Sequence, residues 1–154
     1  MCIRDRFWVW AFANRDSIAH PDTFDDPVFT VAAESICSRF QANIAEFPLA
    51  ASVDGPIERA GLIRLGTAEL EAMVAELRAL ELPTDAKGNA SVPQWFADWD
   101  LYLSDRHSYT ETLAAGNDDP FLLSLNQNGA RVTDALGTFA EVNTMASCSP
   151  SGDA

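Results

Sequence analysis

The residues best equipped for chemistry crowd between Trp95 and Tyr109, where Asp98, Asp100, Asp105, Arg106 and His107 stand among Trp95, Phe96, Trp99, Tyr102 and Tyr109. Asp98, Tyr102, Asp105, Arg106 and Tyr109 lie three, four or seven positions apart, spacings that put them on one face of a helix beside the two tryptophans. In such a setting a carboxylate can serve as acid or base, and the guanidinium can orient an anionic ligand. Arg106 falls inside the apolar stripe, so its charge must be paired if buried. Asp98, Asp105 and the Glu58-Arg59 pair of the preceding helix are placed to join such a network. Trp95, Asp98, Trp99, Tyr102, Asp105, Arg106 and Arg59 are therefore the ligand-binding candidates. The competing reading is a structural ion-pair network that fixes helix register, with the tryptophans as core.

No catalytic residue is expected. His20 and His107 are the only histidines, and neither belongs to a spacing that presents two ligands on one helical face, so no metal site is implied. Gly55, Gly61 and Gly66 form no phosphate-binding glycine pattern, and no cofactor is indicated. Ser104, Asp105 and His107 are too close along one helix to converge as nucleophile, orienter and base, and no GxSxG elbow exists.

Four helices must position these residues. Phe29, Ala33, Ile36, Cys37, Phe40, Ile44 and Phe47 recur at the helical period, with Asp26 as cap, Pro27 in the first turn and Pro48 as terminator. A second helix begins near Asp54-Gly55-Pro56, carries Ile57, Ala60, Ile63, Leu70, Met73, Val74, Leu77 and Leu80 inward, and stops before Pro83. Thr84 to Ala90 reads as a turn, after which Ser91 and Gln94 suggest a capping box opening the aromatic third helix, with exit at Gly116-Asn117. Residues 119–129 fit either a short hairpin or an irregular loop. A fourth helix spans about Arg131 to Asn143, with Val132, Leu136, Phe139, Ala140 and Val142 inward. Asn143 is placed to cap its end or to bond buried backbone. Short connections imply an all-α, up-and-down four-helix bundle.

Composition sets the outer limits. The chain has 154 residues, 47% of them hydrophobic and 10% aromatic. Its mean hydropathy is -0.05, which excludes both a disordered chain and a polytopic membrane protein. Ten Lys and Arg stand against 23 Asp and Glu, and the resulting -13 repels nucleic acid and anionic headgroups. The hexapeptide Met1 to Arg6 resembles translated sequencing adapter and is set apart from the fold. Phe7 to Ala13, with Trp8 and Trp10 before Asn14, Arg15 and Asp16, matches the aromatic belt where a membrane helix ends, and is read as the remnant of an N-terminal anchor. Residues 14–26 follow as an exposed linker, 27–148 as the helical domain and 149–154 as a tail. With Cys2 set aside, Cys37 and Cys148 remain, without CxxC or clustered His. They suit one disulfide tying the tail to helix one; the alternative is two buried free thiols.

Cys37, Glu58-Arg59-Ala60, Trp95, Asp98-Trp99, Tyr102-Leu103, Asp105-Arg106, Tyr109, Phe139-Ala140-Glu141-Val142-Asn143, Met145 and Ser147-Cys148 together form a series. It resembles a group of uncharacterised actinobacterial proteins with one N-terminal transmembrane helix and a small extracytoplasmic helical domain. The resemblance covers about residues 27–153 and implies the anchor and the Cys37–Cys148 bridge. No activity comes with it. The expected function is a membrane-tethered extracytoplasmic module that binds an envelope protein or a small ligand without catalysis. The alternatives are an envelope enzyme or small-ligand sensor using the helix-three cluster, and a purely structural protein.

Overall fold

A computed structural model describes residues 20–150 and residue 152. The adapter-like hexapeptide 1–6, the anchor remnant 7–13 and the linker up to residue 19 lie outside the described residues. Helix α1 runs Pro27–Ile44, α2 Pro56–Arg78, α3 Ala86–Ala114 and α4 Val132–Val142. In sequence order α1 packs on α2, α2 on α3 and α3 on α4, giving the all-α, up-and-down four-helix bundle expected from the sequence.

Local chemistry explains the boundaries. The Asp26 side chain accepts hydrogen bonds from the N–H groups of Val28 and Phe29, both at 3.1 Å, with Pro27 at the first helical position. Its other oxygen accepts from the Thr84 N–H at 3.2 Å, which ties the α2–α3 connection to the start of α1. Helix α3 starts earlier than the Ser91 capping box suggests. Asp85 is the cap, accepting from Lys87 and Gly88, and the stretch read as a turn already coils. Gly88 is required there because a Cβ would stand 2.5 Å from Cβ of Pro83. Ser91 thus sits inside the helix, and Pro93 is an interior residue that deprives the Asn89 carbonyl of its helical partner.

At the far end of α3, Gly116 (φ 85°) takes the left-handed position of a Schellman turn, with Gly116 N–H donating to Leu113 and Asn117 N–H to Thr112. Helix α4 ends in the same turn with Thr144 (φ 58°) where glycine is favoured, directing Met145 and Cys148 inward.

The core gathers apolar residues from all four helices, with Trp95, Trp99, Leu70, Met73 and Leu136 fully buried. Ile57 departs from the inward stripe expected of it and is 66% exposed. Between α3 and α4 the chain makes one antiparallel bridge, Leu125 with Arg131, around a turn with Gly129 at φ 76°. It is neither a full hairpin nor wholly irregular.

Helix α4 reaches α1 through the tail: the short 3-10 turn Ala146–Cys148 packs against both. There Cys37 and Cys148, both fully buried, form the expected disulfide, with Cα atoms 5.0 Å apart across 111 residues of sequence. In the chain-entropy picture a loop of this size is stabilised by up to about 4.7 kcal/mol. The segment before α1 is also drawn in. Phe24 is buried against Phe29 and Phe139, so the last part of 14–26 is core rather than exposed stem. Asn143 holds it there, accepting from the Phe24 N–H at 3.1 Å and donating to the Asp22 carbonyl at 3.2 Å.

Candidate functional site

The polar residues of α3 do not share one face once their neighbours are in place. At 100° per residue, Asp98 and Asp105 are about 20° apart around the helix, whereas Arg106 is rotated about 80° from Asp98. The two acids face the α3–α4 connection and Arg106 faces α2.

Arg106 is fully buried. Its Nε donates to Thr67 Oγ1 at 2.9 Å, Nη1 to the Tyr102 hydroxyl at 3.2 Å and Nη2 to the Ile63 carbonyl at 3.4 Å. The Thr67 hydroxyl itself donates to the same carbonyl at 2.7 Å, so Ile63 is the shared acceptor. The expected partners lie elsewhere. Asp105 accepts from the Ser124 N–H and hydroxyl, both at 2.7 Å, pinning the connection to α3. Arg59 pairs with Asp118 at the other end of the bundle.

Asp98 is 7% exposed and binds only amides: Gln94 Nε2 donates to it at 3.3 Å and Asn126 Nδ2 at 3.2 Å. Among the described residues no cation pairs with it. Asn126 is held in turn, because its Oδ1 accepts the N–H groups of Asn128 and Ala130. Gln94 is fixed by Gln127, which donates to its Oε1.

Beside Asp98 lies a half-open cavity of about 260 Å³ between α3, the 126–130 turn, α4 and the segment before α1. From α3 it is lined by Ser91, Gln94, Trp95 and Asp98, from α4 by Asp134, Ala135, Thr138 and Phe139, and from the preceding segment by His20 and Asp22. Trp95 stacks on Phe139 with centroids 5.0 Å apart. Among the described residues its indole N–H has no acceptor, and neither does that of Trp99; of the two, Trp95 lines the cavity. The Ser91 hydroxyl is buried and likewise has no partner among the described residues.

Of the seven candidates, then, the cavity takes Trp95 and Asp98. Trp99, Tyr102 and Arg106 belong to the packed interior, Asp105 to the loop staple and Arg59 to a peripheral ion pair. Sequence reasoning missed Ser91, Gln94, Asn126 and Asp134. The first two were legible as neighbours of Asp98 at helical spacing; Asn126 and Asp134 carry no signal until the connection folds back. Among the described residues no three His, Cys, Asp or Glu side chains converge as metal ligands, and no helix is long and apolar enough to cross a membrane. Comparison of the chain with protein-family models, curated proteins and solved structures gives no match.

Proposed function

We propose that this protein is a membrane-tethered, extracytoplasmic helical binding module without catalytic activity, and that the cavity beside Asp98 is its binding site. The observation that carries the compartment is the buried Cys37–Cys148 bridge, since such bonds persist in oxidising surroundings and are rare where thiols are kept reduced. Phe7 to Ala13 supplies the tether in this reading, and the resemblance to the anchored actinobacterial proteins points the same way. Support for binding comes from a concave site with a few convergent polar groups set in an apolar wall. With Trp95 and Asp98 in that wall, the small-ligand sensor is favoured over the enzyme, whose Arg106 is turned to α2.

Thiol titration of a Cys2→Ser chain, alkylated at lysis, tests the compartment. The expected result is no reactive thiol before reduction and two after it, with Cys37 and Cys148 in one linked peptide. The same chain carrying its native upstream sequence should fractionate with membranes and be open to protease from outside the cell. Two free thiols in a soluble intracellular fraction would overturn the reading.

A further inference from the structure

We propose that the cavity binds a small organic cation carrying an ammonium group, with Asp98 receiving the ammonium beside the Trp95 indole. The proposal rests on the binding reading above and gives that site its ligand chemistry.

Charge supplies the first half of the argument. A buried carboxylate is ordinarily paired with a cation or fully hydrogen-bonded. Asp98 is 7% exposed, has no cation among the described residues, and receives one long amide hydrogen bond on each oxygen, at 3.3 Å and 3.2 Å. A carboxylate has about four acceptor positions, so about two remain open. Among the described residues, the rest of the lining adds the carboxylates of Asp22 and Asp134 against a single imidazole, that of His20, and contains neither Lys nor Arg. An anionic ligand is repelled by that wall; an ammonium supplies the missing charge and up to three donors.

The wall beside Asp98 supplies the second half. A buried indole N–H usually finds an acceptor. Trp95 is 1% exposed and lines the cavity; among the described residues its N–H and the Ser91 hydroxyl find no partner, and both atoms are sealed against water-sized contact, so neither opens onto the cavity. Ser91, Trp95 and Asp98 are four and three residues apart, so they form one face of α3. Trp95 therefore gives the cavity an aromatic wall beside the Asp98 carboxylate, a setting that favours a cation.

Size limits the rest. About 260 Å³ is just under the roughly 300–1,000 Å³ of ordinary ligand clefts. That suits an amino alcohol, an amino sugar or one lysyl side chain, and excludes a nucleotide-sized cofactor. Free amine and peptide-borne lysine share this chemistry, and the probes below separate them.

The test is a titration of the full chain, ¹⁵N-labelled, followed through the indole N–H resonance of Trp95, assigned by its disappearance in Trp95→Phe. The probes are ethanolamine, glucosamine and Nα-acetyl-lysine amide, with N-acetylglucosamine and ethylene glycol as uncharged controls. Saturable movement of the Trp95 indole by at least one cation and not by the controls is expected. Glucosamine or ethanolamine acting alone identifies a free amine; Nα-acetyl-lysine amide acting alone identifies a partner's lysine. Asp98→Asn, which keeps the side-chain shape, should weaken the effective probe on the order of thirtyfold or more, as loss of a buried charge partner does. Asp134→Asn, at a second acid of the lining, gives another variant if Asp98→Asn does not fold, and should weaken the probe severalfold. Uncharged controls that bind as well as the cations would overturn the ligand class while leaving the binding module standing. An indole resonance that no probe moves would overturn both.

Discussion

Asp98 and Arg106 are charged residues eight positions apart on one helix, both buried, and their surroundings have opposite character. Arg106 points at α2, the helix against which α3 packs most extensively, and its guanidinium is enclosed by Thr67, Tyr102 and the Ile63 carbonyl. Asp98 points at the α3–α4 connection, where two amides hold it at the edge of a cavity and no cation arrives from the described residues. Burial alone therefore does not distinguish a structural charge from a binding one. What distinguishes them is whether the neighbouring element supplies complementary groups or leaves space.

The comparison can be broken most directly at Arg106. Arg106→Met should cost about 3–5 kcal/mol, because the Thr67 and Tyr102 hydroxyls and the Ile63 carbonyl lose a buried charged donor. At this chain length that lowers the thermal midpoint on the order of 10 °C. A loss below about 1 kcal/mol in equilibrium denaturation would erase the contrast with Asp98. Next in size is the double change Cys37→Ser with Cys148→Ser, expected to cost about 2–5 kcal/mol. Since the tail joins α4 to α1, it should also shift the Trp95 indole resonance, whereas a shift confined to α1 would mean that the cavity is shaped by α3 and α4 alone.

Asp98→Asn should cost only about 1 kcal/mol, the loss of one neutral-donor hydrogen bond, with most of its effect falling on ligand binding. A cost as large as that of Arg106→Met would make Asp98 a structural charge. The smallest effect belongs to Asp26, an acid on the other side of the contrast, with well-placed donors. Its carboxyl is held below its ordinary range first by the Phe29 N–H, then by those of Thr84 and Val28, against an opposing desolvation. A depressed pKa stabilises the folded state above the unfolded value, and that contribution fades as pH falls through the folded one. The thermal midpoints of wild type and Asp26→Asn should therefore differ near neutrality and converge in acid.

Much of this architecture was legible. The periodicities of Phe29 to Ile44, Ala60 to Leu77 and Val132 to Ala140 mark buried helical faces because a 3.6-residue repeat leaves one stripe to cover. Asp26 and Gly116 mark helix ends because their local chemistry is self-contained: a short carboxylate for free N–H groups, and a residue with no Cβ for a left-handed turn. Ser91 misled for the same reason. Its capping signal is local, and it yielded to Asp85 once Gly88 could lie against Pro83.

The sequence by itself determined four helices, their inward faces, an acidic surface and two cysteines able to pair, since each follows from residue type and spacing along one chain. Only the tertiary structure decided that Asp105 grips Ser124, that Arg106 turns to α2, that Phe24 enters the core and that Asp98 borders empty space with Trp95, Asn126 and Asp134. Those outcomes depend on groups brought together from 19 to 119 residues apart, and no pattern within a single helix encodes what another helix will place opposite it.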